Sequence, residues 1–396
     1  MANTFLTATQ ISREFLRVLH SNIPFIGTID RQFDGNTTFG GVKNSGSITI
    51  RKPAKFSVRT GANVDVQDLE NTSASLTIDT QKGVDVMFSS KELTQDLDSF
   101  SRQFIQPAAA RLAAEMEKDA LSMYADVWNS AGTVGTTPAA ALVWLEAAAK
   151  LDFNMAPRDN NRYALLSPAA QAATVSGLTT LFNPSAKISG QYNDGEMGSA
   201  LGLKFNMGQL TPSHTTGTRT NTTPAIHTGT ATTQGGTAVV MDGETGSLTV
   251  KKGDVFTVAG VYAVNEAGES TGQLYQFHVT ADGTIGGMVV QPMYSTGPKK
   301  NMTALPADGN LVTFIGATAS TVSPQNLVYH KDAFTFATVA LERPQGVDFA
   351  ATETMDNLSM RVVRAYDINS DNFIARFDVL YGYVCQRPEL ACRVWG

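Results

Sequence analysis

The sequence predicts an α+β fold with an all-β segment set inside it. Three observations carry this. A helical apolar stripe runs through residues 104–127, short alternating strands crowd residues 238–319, and strict period-two alternation returns near the end of the chain. With 396 residues the chain can bury a large core. Charged residues make up only 17%, below the usual quarter. Thr, Ser, Ala, Asn and Gly take their place, which fits a surface covered by neighbours.

Residues 7–20 read as an amphipathic helix that Thr7 can cap, with Gln10 three residues on. Ile11, Phe15, Val18 and Leu19 form its apolar face. That face either packs into the core or docks, as an arm, on a neighbouring subunit. Residues 45–88 read as a long two-stranded β excursion. Ile48, Ile50, Phe56 and Val58 alternate on the way out, and Leu76, Ile78, Val84, Val86 and Phe88 on the way back. An isolated ribbon is marginally stable in water, so this one is expected to lie against something else. Arg51, Lys52, Lys55 and Arg59 sit on its first limb, and Asp65, Asp68 and Glu70 at its tip. These charges mark either a solvated loop or a reaching arm that pairs them between subunits.

The strongest helical segment follows. Phe104, Ala108, Leu112, Met116, Ala120, Met123 and Val127 form an i, i+4 stripe, with Glu115, Lys118 and Asp119 off it. Proline is tolerated only in a first turn, so Pro107 predicts a kink or restart and a long helix over about 107–129. An Ala-rich helix comes next in "PAAALVWLEAAAKLDFNM", then a buried strand at Tyr163–Leu166 and a helix opened by Ser167-Pro168. Residues 211–237 hold twelve threonines and read as loop or linker. Short strands with Gly, Asp and Asn turns fill 238–319, enough for a small barrel. After Pro324 the mixed texture resumes with a strand, Leu327–Tyr329, and then a helix or strand. Phe373, Ala375, Phe377, Val379, Tyr381 and Tyr383 share one face of a late strand. The β segment is therefore read as inserted into a host domain that resumes after it.

Charge and motifs narrow the function. The net charge of −6 argues against a dedicated nucleic-acid binder, whose affinity comes from neutralising phosphates. Cys385 and Cys392 read as free thiols in a reducing cytosol, without a zinc spacing. No P-loop, GxSxG, HExxH or EF-hand pattern occurs, and His20, His214, His227, His278 and His330 share no metal-binding spacing. The reading is of no enzyme, no cofactor and no metal. In Lys251-Lys252-Gly253-Asp254, Gly253 supplies a positive φ and Asp254 caps its own turn; the rival reading is a phosphate contact. The opening residues have no signal-peptide pattern and no ~18-residue apolar run occurs, so no membrane is expected.

The order of parts resembles the major capsid proteins of tailed phages with the Hong Kong ninety-seven type fold. It is most similar to short-tailed-phage (podovirus) coat proteins with an inserted β-barrel. "MFSSKELTQDLDSFSRQFIQPAAARLAAEMEKDAL" resembles the family's join of extended loop to spine helix, and "SLTVKKGDVFTVAGVYAVN", "LYQFHVTADGT" and "VVQPM" its inserted domain. "NLVYHKDAF" is similar to the return to the axial domain, and "ARFDVLYGYVCQRPELACRV" to the C-terminal strand. The resemblance implies an N-terminal arm at 1–30, an extended β loop at 31–88 and a peripheral-domain spine helix at 89–130. It implies axial-domain segments at 131–212 and 323–356, a Thr-rich linker and inserted barrel at 213–322, and C-terminal strands at 357–396. It further implies a subunit that forms hexamers and pentamers in an icosahedral shell around double-stranded DNA, with scaffolding protein and portal as partners. Assembly would occur in the host cytoplasm, and the product would be a virion capsid. Arg51, Lys52, Lys55, Arg59, Asp65, Asp68, Glu70, Phe15 and Leu19 become candidates for contacts between subunits. A nanocompartment shell of the same fold and a nucleic-acid-binding barrel protein are the alternatives.

Overall fold

A computed structural model describes residues 8–32, 46–56, 58–64, 66–67, 72–89, 106–178, 197–218, 224–227, 233–242, 249–297, 300–316, 320–369 and 371–396. Contacts divide the chain into two compact units. The first combines Met1–Ile50, Ser73–Leu121 and Phe334–Val384; the second combines Arg51–Thr72, Ser122–Ala333 and Cys385–Gly396. Helices and strands mix in both, as the α+β reading requires.

In the first unit the strand Asn372–Cys385 is the centre of a sheet. One edge pairs antiparallel with Leu358–Asp367, which pairs in turn with Phe349–Met355. The other edge pairs with Thr80–Ser89, and Phe334–Val339 belongs to the same sheet. Alternation holds along the middle of the central strand, where Ala375, Phe377, Val379 and Tyr381 are buried, while Phe373 and Tyr383 at its ends are half-buried. The helix Ala8–Ser21 lays Phe15 on this face, its ring 4.5 Å from that of Phe377 and nearly parallel to it. Leu16 and Leu19 are buried as well. Phe15 and Leu19 thus contact this unit's own core, which is the packing alternative for that helical face.

The long helix spans Gln106–Leu121, with Pro107 in its first turn. It does not continue to 129. Ser122–Asp126 tighten into a 3₁₀ turn, because Ser and Asp compete for backbone hydrogen bonds and helix ends commonly narrow this way. The excursion also differs from its reading. Ser47–Arg51 pairs with Ser73–Thr77, and Ile48, Ile50, Leu76 and Ile78 gather against Ala337. Thr80–Ser89 pairs with the chain's last long strand instead of the outgoing limb. Period-two alternation specifies a strand and its faces, but not its partner. Phe56 and Val58 lie in no strand.

The second unit contains a mixed sheet in the order Ser130–Ala131, Ala391–Val394, Asn326–His330, Arg162–Leu166, Leu203–Met207 and Ser199–Ala200. The helix Pro168–Leu178 begins where the sequence places it: the Ser167 hydroxyl accepts from the Ala170 N–H at 3.3 Å. After Asn326–His330 and a short turn the chain enters the strand Phe334–Val339, so the helix-or-strand choice there falls to strand. Its Thr335, Thr338 and Val339 suit a pleated surface.

Residues 224–316 add a five-stranded antiparallel sheet: Ala238–Val239, Met288–Gln291, Ser270–Val279, Val255–Val264 and Val312–Phe314. Beyond Val239 the chain runs on to Met241–Asp242, which pairs with Ala225–Ile226. The latter reaches the opposite edge strand, since the Val312 N–H donates to the Pro224 carbonyl at 2.7 Å and the Ile226 N–H to the Asn310 carbonyl at 3.0 Å. The pairings run round a ring. Phe256, Phe277, Phe314, Val258, Val290 and Met302 are among the buried residues of the one apolar cluster inside it.

Candidate functional site

The helix Ala141–Phe153 is apolar on two opposed faces. Trp144, Ala147 and Leu151 face inward and are buried. At 100° per residue, Leu142, Leu145, Ala149 and Phe153 fall within one stripe on the other side. There Leu142 is 63% exposed, Leu145 45% and Phe153 40%, with Glu146 exposed beside them. An apolar helical face is normally a buried one. Within one chain this helix is buried on one side alone. The excursion carries similar surface: Val58 is 96% exposed and Val66 86%, with Phe56 and Val64 also exposed.

Polar groups are concentrated at two buried places. In the second unit, Asp254 is 2% exposed and joins several chain segments. Its Oδ1 lies 2.9 Å from His214 Nε2. Its Oδ2 accepts from the N–H groups of Lys251 at 3.0 Å and Gly217 at 3.1 Å. His214 Nδ1 lies 3.2 Å from the Tyr124 hydroxyl. Gly253 has φ +91°, and a Cβ there would press on Ala125. Lys251 pairs with Asp282 at 2.8 Å and Lys252 with Asp126 at 2.9 Å. The basic turn therefore uses its charges on carboxylates of its own unit, and its aspartate caps the turn as read. Arg393 is fully buried nearby, its guanidinium 6.0 Å from the Tyr124 ring and 5.6 Å from the Trp395 ring. Burial lowers its pKa to about 10 against the pull of Tyr124 and Asp254. Burial, with Arg393 and Lys252 adding to it, lowers His278 to about 3.

In the first unit, the Glu117 carboxylate is 1% exposed. It accepts from the Phe25 N–H at 2.7 Å and the Ile26 N–H at 3.2 Å, at the start of the 3₁₀ turn Ile26–Thr28. Those N–H groups have no partner within the turn, and a carboxylate suits the positive end of a helical segment. Burial nevertheless raises its pKa to about 7, the two backbone hydrogen bonds opposing. On the neighbouring turn, Asp119 holds the Lys82 ammonium at 2.7 Å and accepts from the Tyr381 hydroxyl at 2.5 Å. Buried Asp378 is held by Arg361 at 2.6 Å and Arg376 at 3.0 Å. Gly83 lies against it, where any Cβ would strike the Asp378 carboxylate and the Phe377 carbonyl.

The structure does not bring the sequence-predicted contact residues into one site. Arg51 is exposed, and Lys52 donates its N–H to the Thr72 carbonyl at 2.8 Å. Lys55 lies 3.6 Å from Glu266, with both side chains about half exposed. The Arg59 guanidinium donates to the carbonyls of Gly61 and Asn63, closing a local turn. Asp65, Asp68 and Glu70 lie outside the described residues, while Phe15 and Leu19 are in the core. The reading missed Glu117, Asp254 with His214, Arg393 and the outer stripe at 142–153. The stripe and Glu117 left a sequence signal: "ALVWLEAAAKLDF" has apolar residues on two opposed sides, and Glu117 falls between the buried positions Ala113 and Ala120.

Among the described residues no three His, Cys, Asp or Glu side chains gather as a metal site, and no helix is long and apolar enough to cross a membrane. Cys385 and Cys392 are free and buried, and burial raises the Cys392 thiol to about 12. No curated protein matches the chain. The chain is similar at low identity to many solved structures, among them these three. The capsid structure of cyanophage P-SCSP1u has 14% identity over 93% of this chain and 85% of its own, at a TM-score of 0.45. A structure from Mycobacterium phage Che8 has 12% identity over 93% and 89%, at 0.44. A virus-like particle from Pyrococcus furiosus has 6% identity over 99% and 100%, at 0.42. The sequence profile of the family described as "P22 coat protein - gene protein 5" matches residues 1–394. With that match running along nearly the whole of its length, the chain belongs to the P22 coat protein family and is a major capsid protein of a tailed phage.

Proposed function

We propose that this capsid protein closes, through hexamers and pentamers, into an icosahedral shell around double-stranded DNA, assembling in the host cytoplasm on a scaffolding protein and a portal. The family match along residues 1–394 carries the reading. The surface of the second unit supports it. The outer stripe of Leu142, Leu145 and Phe153 and the exposed Phe56, Val58, Val64 and Val66 are apolar areas of the kind that interfaces cover. A second copy of the chain is their occupant. Arg51, Lys52, Lys55 and Arg59 on the first limb, with Asp65, Asp68 and Glu70 in the sequence of the tip, supply charges of both signs that set register between copies. Each such exposed pair contributes only about 0–1 kcal/mol, so closure rests on many repeated contacts together with buried apolar area. DNA is touched without sequence preference, which a chain of net charge −6 does not contradict where local patches face inward.

The test is electron microscopy of the overexpressed protein with and without its scaffolding protein. Closed shells or capsomers are expected. Particles that never exceed a monomer in either condition would overturn the reading. Shells filled by one cargo enzyme would select a nanocompartment instead.

A further inference from the structure

Beside the Asp254–His214 pair lies a cavity of about 10 Å³. Two buried donor groups line it. Arg393 is fully buried, and its Nε, Nη1 and Nη2 all lack an acceptor among the described residues; Trp395 is 2% exposed, and its Nε1 lacks one too. The flat faces of the guanidinium are used, against the rings of Tyr124 and Trp395, but its in-plane N–H donors are not. Leaving a buried donor unsatisfied costs about 1–3 kcal/mol, and more for a charged one. A folded chain does not carry several such donors around one cavity without an acceptor there.

We infer that this cavity binds a single sequestered water molecule, which accepts hydrogen bonds from Arg393 and Trp395. Size limits the ligand first: about 10–15 Å³ of such space holds one water and nothing larger. Charge opposes a small anion as well. Asp254 is among the residues that line the cavity, so a halide would be a second buried negative charge near its carboxylate, at an interaction energy that low dielectric magnifies. A water avoids that repulsion. It accepts from the two donors and keeps its own two protons for acceptors of the lining, where Asp254 and Thr216 both lie. Bound so, it has the two to four polar partners that buried waters have.

The water makes a bridge out of two separate polar groups. Asp254 belongs to the turn before the strand Val255–Val264, and Arg393 to the strand Ala391–Val394. No direct salt bridge joins these two side chains among the described residues. The water links the C-terminal strand to the Tyr124–His214–Asp254 chain of contacts, and so couples segments far apart in sequence.

A map of the assembled protein at a resolution that shows ordered water tests this. One peak is expected within about 2.7–3.2 Å of an Arg393 guanidinium nitrogen and of Trp395 Nε1. A second data set from protein in bromide, collected for anomalous signal, should show nothing at that position. A bromide peak there would make the site an anion site and overturn the inference. So would a map in which Arg393 touches Asp254 directly with no peak between them. The variant Arg393→Met, matched in length but without donors, should lose the peak while keeping the His214–Asp254 contact; a peak that persists would also defeat the assignment.

Discussion

Glu117 is a carboxylate set among Ala113, Met116, Ala120 and Leu121 on the buried side of the long helix. Its two backbone hydrogen bonds tie the helix to the turn after the N-terminal helix. Its pKa is about 7 in the folded chain against an ordinary 4.5. Below pH 4.5 the group is protonated in both folded and unfolded chains. Between 4.5 and about 7 the folded chain alone keeps the proton, so the stability present at low pH is lost as pH rises through that window. At 1.36 kcal/mol per pKa unit the loss is about 3 kcal/mol. Glu117→Gln cannot titrate. The thermal midpoint of the unassembled variant should fall less steeply over this window than that of the parent. Equal slopes in the two proteins would assign the pH dependence to other groups.

Two elements carry predictions of their own. The helix Ala141–Phe153 is held by Trp144, Ala147 and Leu151, so charges placed on its outer stripe leave that packing alone. Leu142→Glu with Leu145→Glu should change subunit stability by no more than about 0.5 kcal/mol each, as surface substitutions do. Sedimentation should show a folded subunit that no longer forms capsomers; normal shells from it would remove this face from the interface. The ring of strands is the second element. Residues 238–319 looked sufficient from sequence, yet Ile226 is part of the buried cluster and Ala225–Ile226 bridges to the edge at Leu311. A fragment spanning 224–316 should therefore give a dispersed NMR spectrum, and one starting at 238 a poorer one. A random-coil spectrum from the longer fragment would count against an autonomously folding insertion.

At the scale of the whole molecule, the outer part of the excursion has little support from its own chain among the described residues. Four of its described apolar side chains, Phe56, Val58, Val64 and Val66, are exposed, and its partner in the proposed shell is another copy. Deleting residues 60–72 should leave a folded subunit, judged by circular dichroism, that assembles poorly under the microscope. Shells of normal yield and size would refute the reaching-arm role.

Local patterns proved legible where the answer depends on neighbours in sequence. Pro107 in a first turn, Ser167 as a cap, positive φ at Gly253 and the buried face of the strand Asn372–Cys385 are all set by backbone chemistry within a few residues. The order of these elements also carried the family, which a profile match over residues 1–394 bears out. Partners were not legible. Alternation in Thr80–Ser89 could not reveal that it pairs with residues 372–381, nor could an isolated His214 reveal Asp254 forty positions away. By itself the sequence determined most of the helices and strands, the apolar faces within them, and what kind of protein their order makes; it left residues 334–339 open between helix and strand and ran the long helix past Leu121. Tertiary structure alone decided which strands pair, where Glu117 and Arg393 are buried, and which apolar face of residues 141–153 is left over for a neighbour. Periodicity acts within one element, whereas strand pairing and desolvation arise only when distant segments meet.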